Sequence, residues 1–493
     1  MSAAQITRKP RPTLGARFGW TMTSLVLLSG VVPLLAIAST EDSGRSGAWA
    51  VTSAIIVWSG FRLAMILGRG SATPFAFMFW LFCYIFMGIA PTIQIRTYDL
   101  SPTTAGVSPA LDWITALLVG SSLIVFELGG VLAGIRRRRA EPASDRRLHG
   151  RPPGRARTFI LAGAGLTVWI YYVGSLGIGS FFEARDARQD ARAAIFADES
   201  LAAVVSSLAW VPLLVAAGGF FLLRQGRPAA SRRGYLLLGL ISMCAVLVVV
   251  NPVSGARFTS GTVLYAALVY GGGMGTRART RTTFAVLLAG FLLVFPLADA
   301  FRRSLSPTVE RQGFFTEYAG NSDYDGFWQI ANSISYVGHY GPTWGRQLLG
   351  VVFFWVPRSI WPGKPVGTGV LLAEYRGYTF QNLSAPIWAE AVVNGGLVAA
   401  LIVLLGLGYL IRAIDRRVPE ALASGSVLAV AAATLPAYSI ILLRGSLLAA
   451  SGILIVMLAS LWWLGERKNA PPSVIGLENP GTSDRSTRAR SAA

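Results

Sequence analysis

The chain has 493 residues, 53% of them hydrophobic and 14% charged, with a mean hydropathy of +0.52. That composition leaves too little polar surface to face water and excludes a soluble globular protein. The net charge of +20 sits mostly in short links between apolar runs, which argues against nucleic-acid binding and for a polytopic membrane protein.

Runs long enough to cross a bilayer as helix fall at 18–38, 48–67, 74–94, 113–135, 158–178, 201–223, 235–252, 259–275, 283–300, 391–411, 421–441 and 446–464. They predict an all-α polytopic bundle of about twelve transmembrane helices. Arg and Lys fill alternate links, notably Arg8 to Arg17, Arg136 to Arg157, Arg224 to Arg233, Arg277 to Arg281, Arg412 to Arg417, and Arg467 with Lys468. The positive-inside rule then places both termini in the cytoplasm. The expected plan is a cytoplasmic segment 1–17, nine spans over 18–300, a large outer loop at 301–390, three spans over 391–464 and a disordered tail at 465–493. The first run lacks a small-residue cleavage pattern before Thr40, so no cleavable signal peptide is expected. Cys83 and Cys244 both fall within spans and suggest no disulfide framework. Arg62 and Glu127 lie in the cytoplasmic halves of spans, where snorkelling or mutual pairing accounts for them.

Cations on the outer side run against the inward bias and need a reason: pairing with neighbouring acids, lipid phosphates, or an anionic substrate. Arg257 is the only charge in the tight turn Asn251-Pro-Val-Ser-Gly-Ala-Arg-Phe258, and Arg444 repeats the arrangement in Leu443-Arg-Gly-Ser446. Arg302 and Arg303 leave the ninth span directly. Guanidinium forks at headgroup depth suit a phosphate or pyrophosphate, which Arg binds bidentately. Arg185, Arg188 and Arg192 share one face of a predicted helix, either resting on anionic lipid or contacting substrate.

Within the large loop, Tyr324 to Tyr336 has helical apolar spacing with Asp325, Gln329 and Asn332 interspersed, and reads as a short helix near the surface. His339 follows in a turn-forming stretch. Trp328, Tyr340, Trp344 and Trp361 crowd the region as interfacial anchors or as platforms for sugar rings. Gly350 to Pro365 is too short to span before Pro357 and predicts a re-entrant or interfacial element delivering Arg358 and Lys364 to the bilayer surface. Ser384 to Gly396 opens the tenth span, with Glu390 in its first turn, where the helix dipole favours a carboxylate.

The Pro-Arg-Ser-x-Trp-Pro-x-Lys-Pro run at 357–365, the Glu390 to Gly396 entry, the small-residue turn with Arg257 and the Arg444-Gly-Ser turn together resemble the oligosaccharide repeat unit polymerase family, which includes the O-antigen polymerases and is related to O-antigen ligases. Arg302 with Gly313 fits a spacing noted in some members, whereas a second copy from Arg376 would need Gly where Ile387 stands. The resemblance implies a GT-C-like architecture in the inner membrane. It also implies transfer of glycan between polyprenyl-pyrophosphate carriers on the outer face, with membrane lipid, a flippase and a chain-length regulator as partners.

On that reading the pyrophosphate-linked glycan is attacked by an acceptor hydroxyl, and cations stabilise the departing pyrophosphate. His339, Glu390, Arg257 and Arg358 are the catalytic candidates, with Asp325 and Glu374 as further bases. Arg302, Arg303, Lys364, Arg376 and Arg444 are the pyrophosphate-binding candidates, and Trp328, Trp344, Tyr340 and Trp361 the glycan-stacking ones. No metal-ligand spacing, Walker loop or dinucleotide fingerprint occurs, so no metal or other cofactor is expected. A ligase of the same chemistry, a lipid-linked glycan transporter and a non-catalytic assembly scaffold are the competing readings.

Overall fold

The computed structural model describes residues 14–98, 102–139, 150–183, 185–196, 199–225, 227–251, 255–296, 315–356 and 358–466. Arg302, Arg303, Gly313 and the polar tail from Asn469 lie outside the described residues. A lipid-facing backbone must satisfy its polar groups internally, and among the described residues every run of regular structure is helical. In chain order these are α1 (Arg17–Ala38), α2 (Trp49–Arg69), α3 (Pro74–Thr97), α4 (Ala110–Arg139), α5 (Arg155–Leu176), α6 (Arg185–Ile195), α7 (Glu199–Leu223) and α8 (Ala229–Val249). Then follow α9 (Arg257–Tyr270), α10 (Arg277–Ala289), α11 (Gly326–Tyr340), α12 (Arg346–Val352), α13 (Thr368–Arg376), α14 (Ile387–Asp415), α15 (Val427–Arg444) and α16 (Leu447–Leu464). A few short helical turns lie between them.

Among the described residues ten helices, α1–α5, α7, α8 and α14–α16, are long and apolar enough to cross a membrane. The predicted spans at 259–275 and 283–300 are not among them, residues 297–300 of the second lying outside the described residues. The first falls on α9, whose 14 residues reach only about 21 Å at 1.5 Å per residue. The second falls on α10, which carries Arg277, Arg279 and Arg281 in its first five residues and widens into a π turn at Gly290–Val294. Further π turns occupy Val26–Val31 and Cys83–Ile89. Each lies just before a proline, Pro296, Pro33 or Pro91. The missing N–H and the ring's clash with the carbonyl four residues back are relieved by widening the helix there.

The core is built around α3, whose side chains from Phe77 to Ala90 are buried among α2, α4, α14 and α15. The most extensive helix contact is between α4 and α14, and glycine makes it possible. A Cβ on Gly129 would fall 2.0 Å from the Leu405 carbonyl oxygen, and one on Gly408 2.0 Å from that of Phe126. Backbones meeting at this distance are the small-residue packing of membrane helices. Gly408→Val should therefore cost at least about 1–3 kcal/mol through overpacking. The expected result is loss of monodisperse protein in detergent by size-exclusion chromatography; an unchanged profile and melting temperature would contradict this packing.

The tenth predicted span is not one continuous helix. Gly395 (φ −158°, ψ 18°) and Gly396 (φ 75°, ψ −171°) break α14 after Asn394, and the positive φ at Gly396 favours glycine. The freed carbonyls of Val393 and Asn394 accept from the amides of Thr343 (2.8 Å) and Gly345 (3.1 Å). The Asn394 carboxamide donates to the Glu390 carbonyl (2.8 Å) and accepts from the Leu348 amide (3.2 Å). Thus Ile387–Asn394 is a separate, buried half-helix, tied to the loop segment before α12.

The bundle has two distinct ends. At one, the Arg281 guanidinium donates to the carbonyls of Leu67 (3.1 Å) and Gly68 (2.8 Å), and Arg416 donates to that of Ala133 (2.9 Å). Asp415 there accepts from the first amides of α3, Phe75 (3.1 Å) and Ala76 (2.8 Å). The other end carries α11–α13, the start of α9 and the end of α15. Arg45 pairs with Asp112 at this end (2.9 Å), both side chains buried.

Candidate functional site

Arg257 opens α9 and Arg444 closes α15. These helices pack together in opposite directions, with the Tyr265 hydroxyl donating to the Ala432 carbonyl (2.8 Å), so the two guanidiniums reach the same level. Both converge on one carboxylate that sequence reading passed over, Asp323. Arg257 Nη1 lies 3.2 Å from its Oδ2 and Arg444 Nη2 3.0 Å from its Oδ1. Arg444 Nε also donates to the Asp323 carbonyl oxygen (2.9 Å). Arg257 lies over the Phe295 ring at 5.4 Å and Arg444 over that of Phe258 at 5.2 Å, within cation–π range. All three charged side chains remain about one-fifth exposed (Arg257 23%, Arg444 19%, Asp323 23%).

Asp325 sits behind this pair with its side chain only 1% exposed, and its Oδ1 is 3.9 Å from Arg444. It accepts hydrogen bonds from the Ser384 hydroxyl and amide and from Gln329 (3.2 Å). Burial pushes its carboxyl above the usual carboxylate range; Arg444 and the Ser384 hydrogen bonds oppose this without cancelling it. A raised folded-state value contributes stability at low pH that is lost as pH rises from the unfolded value toward the folded one. Relative to wild type, Asp325→Asn should therefore gain stability as pH increases above about 4. Melting temperatures of the two proteins in detergent from pH 4 to 8 read this; a constant difference would contradict it.

From Asp325 a polar line runs along α11. Asn332 donates to Gln329 (3.0 Å), and Arg376 Nε at the end of α13 donates to Asn332 (2.6 Å). Arg376 Nη2 is buried without a hydrogen-bond partner among the described residues. The first two turns of α11 are buried rather than at the surface as the sequence suggested, because its polar residues satisfy one another and Gln329 also reaches the Thr103 carbonyl (3.0 Å).

At the far end of α11, His339 Nδ1 lies 2.8 Å from the Ser335 carbonyl oxygen and 2.9 Å from the Tyr375 hydroxyl. The Ser335 carbonyl accepts from Nδ1 in the tautomer that carries the hydrogen there, and the Tyr375 hydroxyl can donate to Nδ1 in the other, so the two contacts fix the orientation of the ring. His339 stands fourteen residues from Asp325, about 21 Å along a helix. Of the catalytic candidates, His339 therefore lies at the far end of α11 from the Asp323–Asp325 turn that Arg257 reaches.

Glu390 is buried, and its two oxygens accept from the Thr368 hydroxyl (2.7 Å) and the Leu447 amide (2.8 Å). It ties α13 and the start of α16 to the half-helix, the contacts of a structural strut. Arg358 Nη1 donates to the Lys364 carbonyl (2.9 Å), and Lys364 Nζ to the carbonyls of Phe354 (2.5 Å) and Val356 (3.0 Å). These bonds close a hairpin after α12. Leu348, Leu349 and Val352 on α12 and Phe353, Trp355 and Ile360 on the hairpin are exposed, as an interfacial element requires. A Cβ on Gly452, in the second turn of α16, would meet Phe354 at 3.7 Å, so the hairpin descends along that helix.

Trp328 is no stacking platform. It is fully buried, donates from Nε1 to Gln94 Oε1 (2.7 Å) and lies under Arg45 at 4.8 Å. Tyr340 and Trp344 are exposed (72% and 82%) and Trp361 is half-buried, so these three stay open to a ligand. Arg188, on the expected helix α6, donates to the Val249 carbonyl (2.9 Å) and covers the Phe181 ring at 4.5 Å. Comparison of the chain with protein-family models, curated proteins and solved structures gave no match.

Proposed function

We propose that the chain is a membrane glycosyltransferase that transfers glycan from a polyprenyl-pyrophosphate carrier to an acceptor sugar, polymerising oligosaccharide repeat units on the outer face of the cytoplasmic membrane. The reading rests chiefly on the two guanidiniums of Arg257 and Arg444, brought from separate helices onto the single carboxylate of Asp323. A pyrophosphate, with more charge and more acceptor oxygens than a carboxylate, competes for both forks. Asp323 then leaves its partners and accepts the proton of the attacking hydroxyl. The new bond forms between that oxygen and the anomeric carbon, and the bond from the anomeric carbon to the pyrophosphate oxygen breaks. The leaving pyrophosphate keeps the electron pair, stabilised by the two guanidiniums. Asp325, anchored to Ser384 and Gln329, holds the turn that presents Asp323. Tyr340, Trp344 and the His339–Tyr375 pair are placed to receive the extended glycan away from the reacting carbon. The excess of Arg at the opposite end supports placing that end in the cytoplasm.

Purified protein in vesicles with a polyprenyl-pyrophosphate oligosaccharide should give a ladder spaced by one repeat, with carrier pyrophosphate released. Movement of the intact lipid across the bilayer without a new glycosidic bond would replace this reading by a transporter.

A further inference from the structure

At the end of the bundle opposite Asp323 a cavity of about 80 Å³ lies between α2, α4 and α14, lined among others by Arg62, Arg69, Trp80, Glu127, Arg412 and Asp415. None of these residues belongs to the candidate site. Its charges do not balance. Arg62 Nε lies 2.6 Å from Glu127 Oε1, and Arg62 also stacks over Trp80 at 5.6 Å. Asp415 is taken up by the Phe75 and Ala76 amides. Arg69 and Arg412 are exposed and make no hydrogen bond or ion pair among the described residues; Arg412 acts on Glu127 and Asp415 through its charge alone, and three guanidiniums against two carboxylates leave the lining one positive charge in excess.

Their depth points to the ligand. Arg69 is the last residue of α2 and Arg412 lies three residues before the end of α14, where spans reach headgroup level. The hydroxyl-bearing Ser71 and Thr73 share the wall, and Met65, Ile66, Phe126 and Ile411 continue it as an apolar surface. Two Arg forks with neutral donors beside them match the oxygens of a phosphate, and the apolar wall matches the glycerol and upper acyl carbons attached to it. We infer that this cavity binds a phosphate group through Arg69 and Arg412, supplied by an anionic lipid headgroup or by free phosphate.

The test uses the full chain in detergent, titrated with phosphatidylglycerol, with phosphatidylcholine and, separately, with inorganic phosphate, and read by native mass spectrometry and thermal shift. Arg69 and Arg412 make no hydrogen bond or ion pair among the described residues, so R69A/R412A should stay folded; a melting temperature recorded beside the binding reads any loss from removing the Arg412 charge that faces Glu127 and Asp415. R69A/R412A should lose the tightest phosphatidylglycerol site, with apparent affinity down about tenfold or more, whereas R232A/R233A, two exposed arginines near the start of α8, should retain it. Selective binding of phosphatidylglycerol assigns the phosphate to lipid; protection by inorganic phosphate alone, lost in R69A/R412A, assigns it to the free ion. Equal binding by wild type and R69A/R412A, or the same loss in R232A/R233A, would overturn the inference.

Discussion

On the proposed function, Arg444→Ala and Arg257→Ala should each lower glycan transfer by about 10²–10³-fold, the loss expected when one preorganised partner of a developing anion is removed. The two variants need not behave alike in stability. Arg444 also donates to the backbone of Asp323, so its loss also loosens that turn. Arg444→Lys separates charge from geometry: it keeps the cation and loses the planar fork, so it should recover only part of the activity. Single-turnover transfer with a defined lipid-linked oligosaccharide reads all three. Wild-type turnover by Arg257→Ala would remove these cations from the chemistry.

The second large effect separates Asp323 from His339. If Asp323 takes the proton, Asp323→Asn should lower turnover by about 10²–10⁴-fold, while His339→Gln, about 21 Å away along α11, should change it only severalfold and mainly through the affinity for glycan. The reverse outcome, an inert His339→Gln enzyme beside a competent Asp323→Asn one, would move the reaction to the His339–Tyr375 end of the helix.

Much of this arrangement was legible in the sequence because it depends on local signals. Apolar runs disclosed the ten helices long enough to cross a membrane, though not that two further runs fall on shorter or interrupted helices, and the lone charges in the turns at Arg257 and Arg444 marked two guanidiniums that the fold brings together. Helical spacing predicted α6 and α11. What escaped was set by contacts between distant segments. Asp323 carries no spacing signal, and its importance comes from helices 66 residues before it and 121 after it meeting at its side chain. Trp328 looked like an aromatic platform because its type suits one, yet Gln94 gives its indole a buried partner. The break in α14 was written in Asn394-Gly395-Gly396, but a glycine pair also occurs in continuous helices, as Gly129-Gly130 does in α4. Only the Thr343 and Gly345 amides, placed to cap the freed carbonyls, distinguish the two.

The most direct test of the central claim, that a pyrophosphate exchanges with Asp323 on the two guanidiniums, is the affinity of purified protein for polyprenyl pyrophosphate, measured by titration in detergent for wild type, Arg257→Ala and Asp323→Asn. The account predicts opposite signs. Arg257→Ala binds the carrier more weakly, because a fork is gone. Asp323→Asn binds it more tightly, because the internal competitor has lost its charge, even as turnover falls. Weaker binding by Asp323→Asn, or binding untouched by either change, would contradict the exchange.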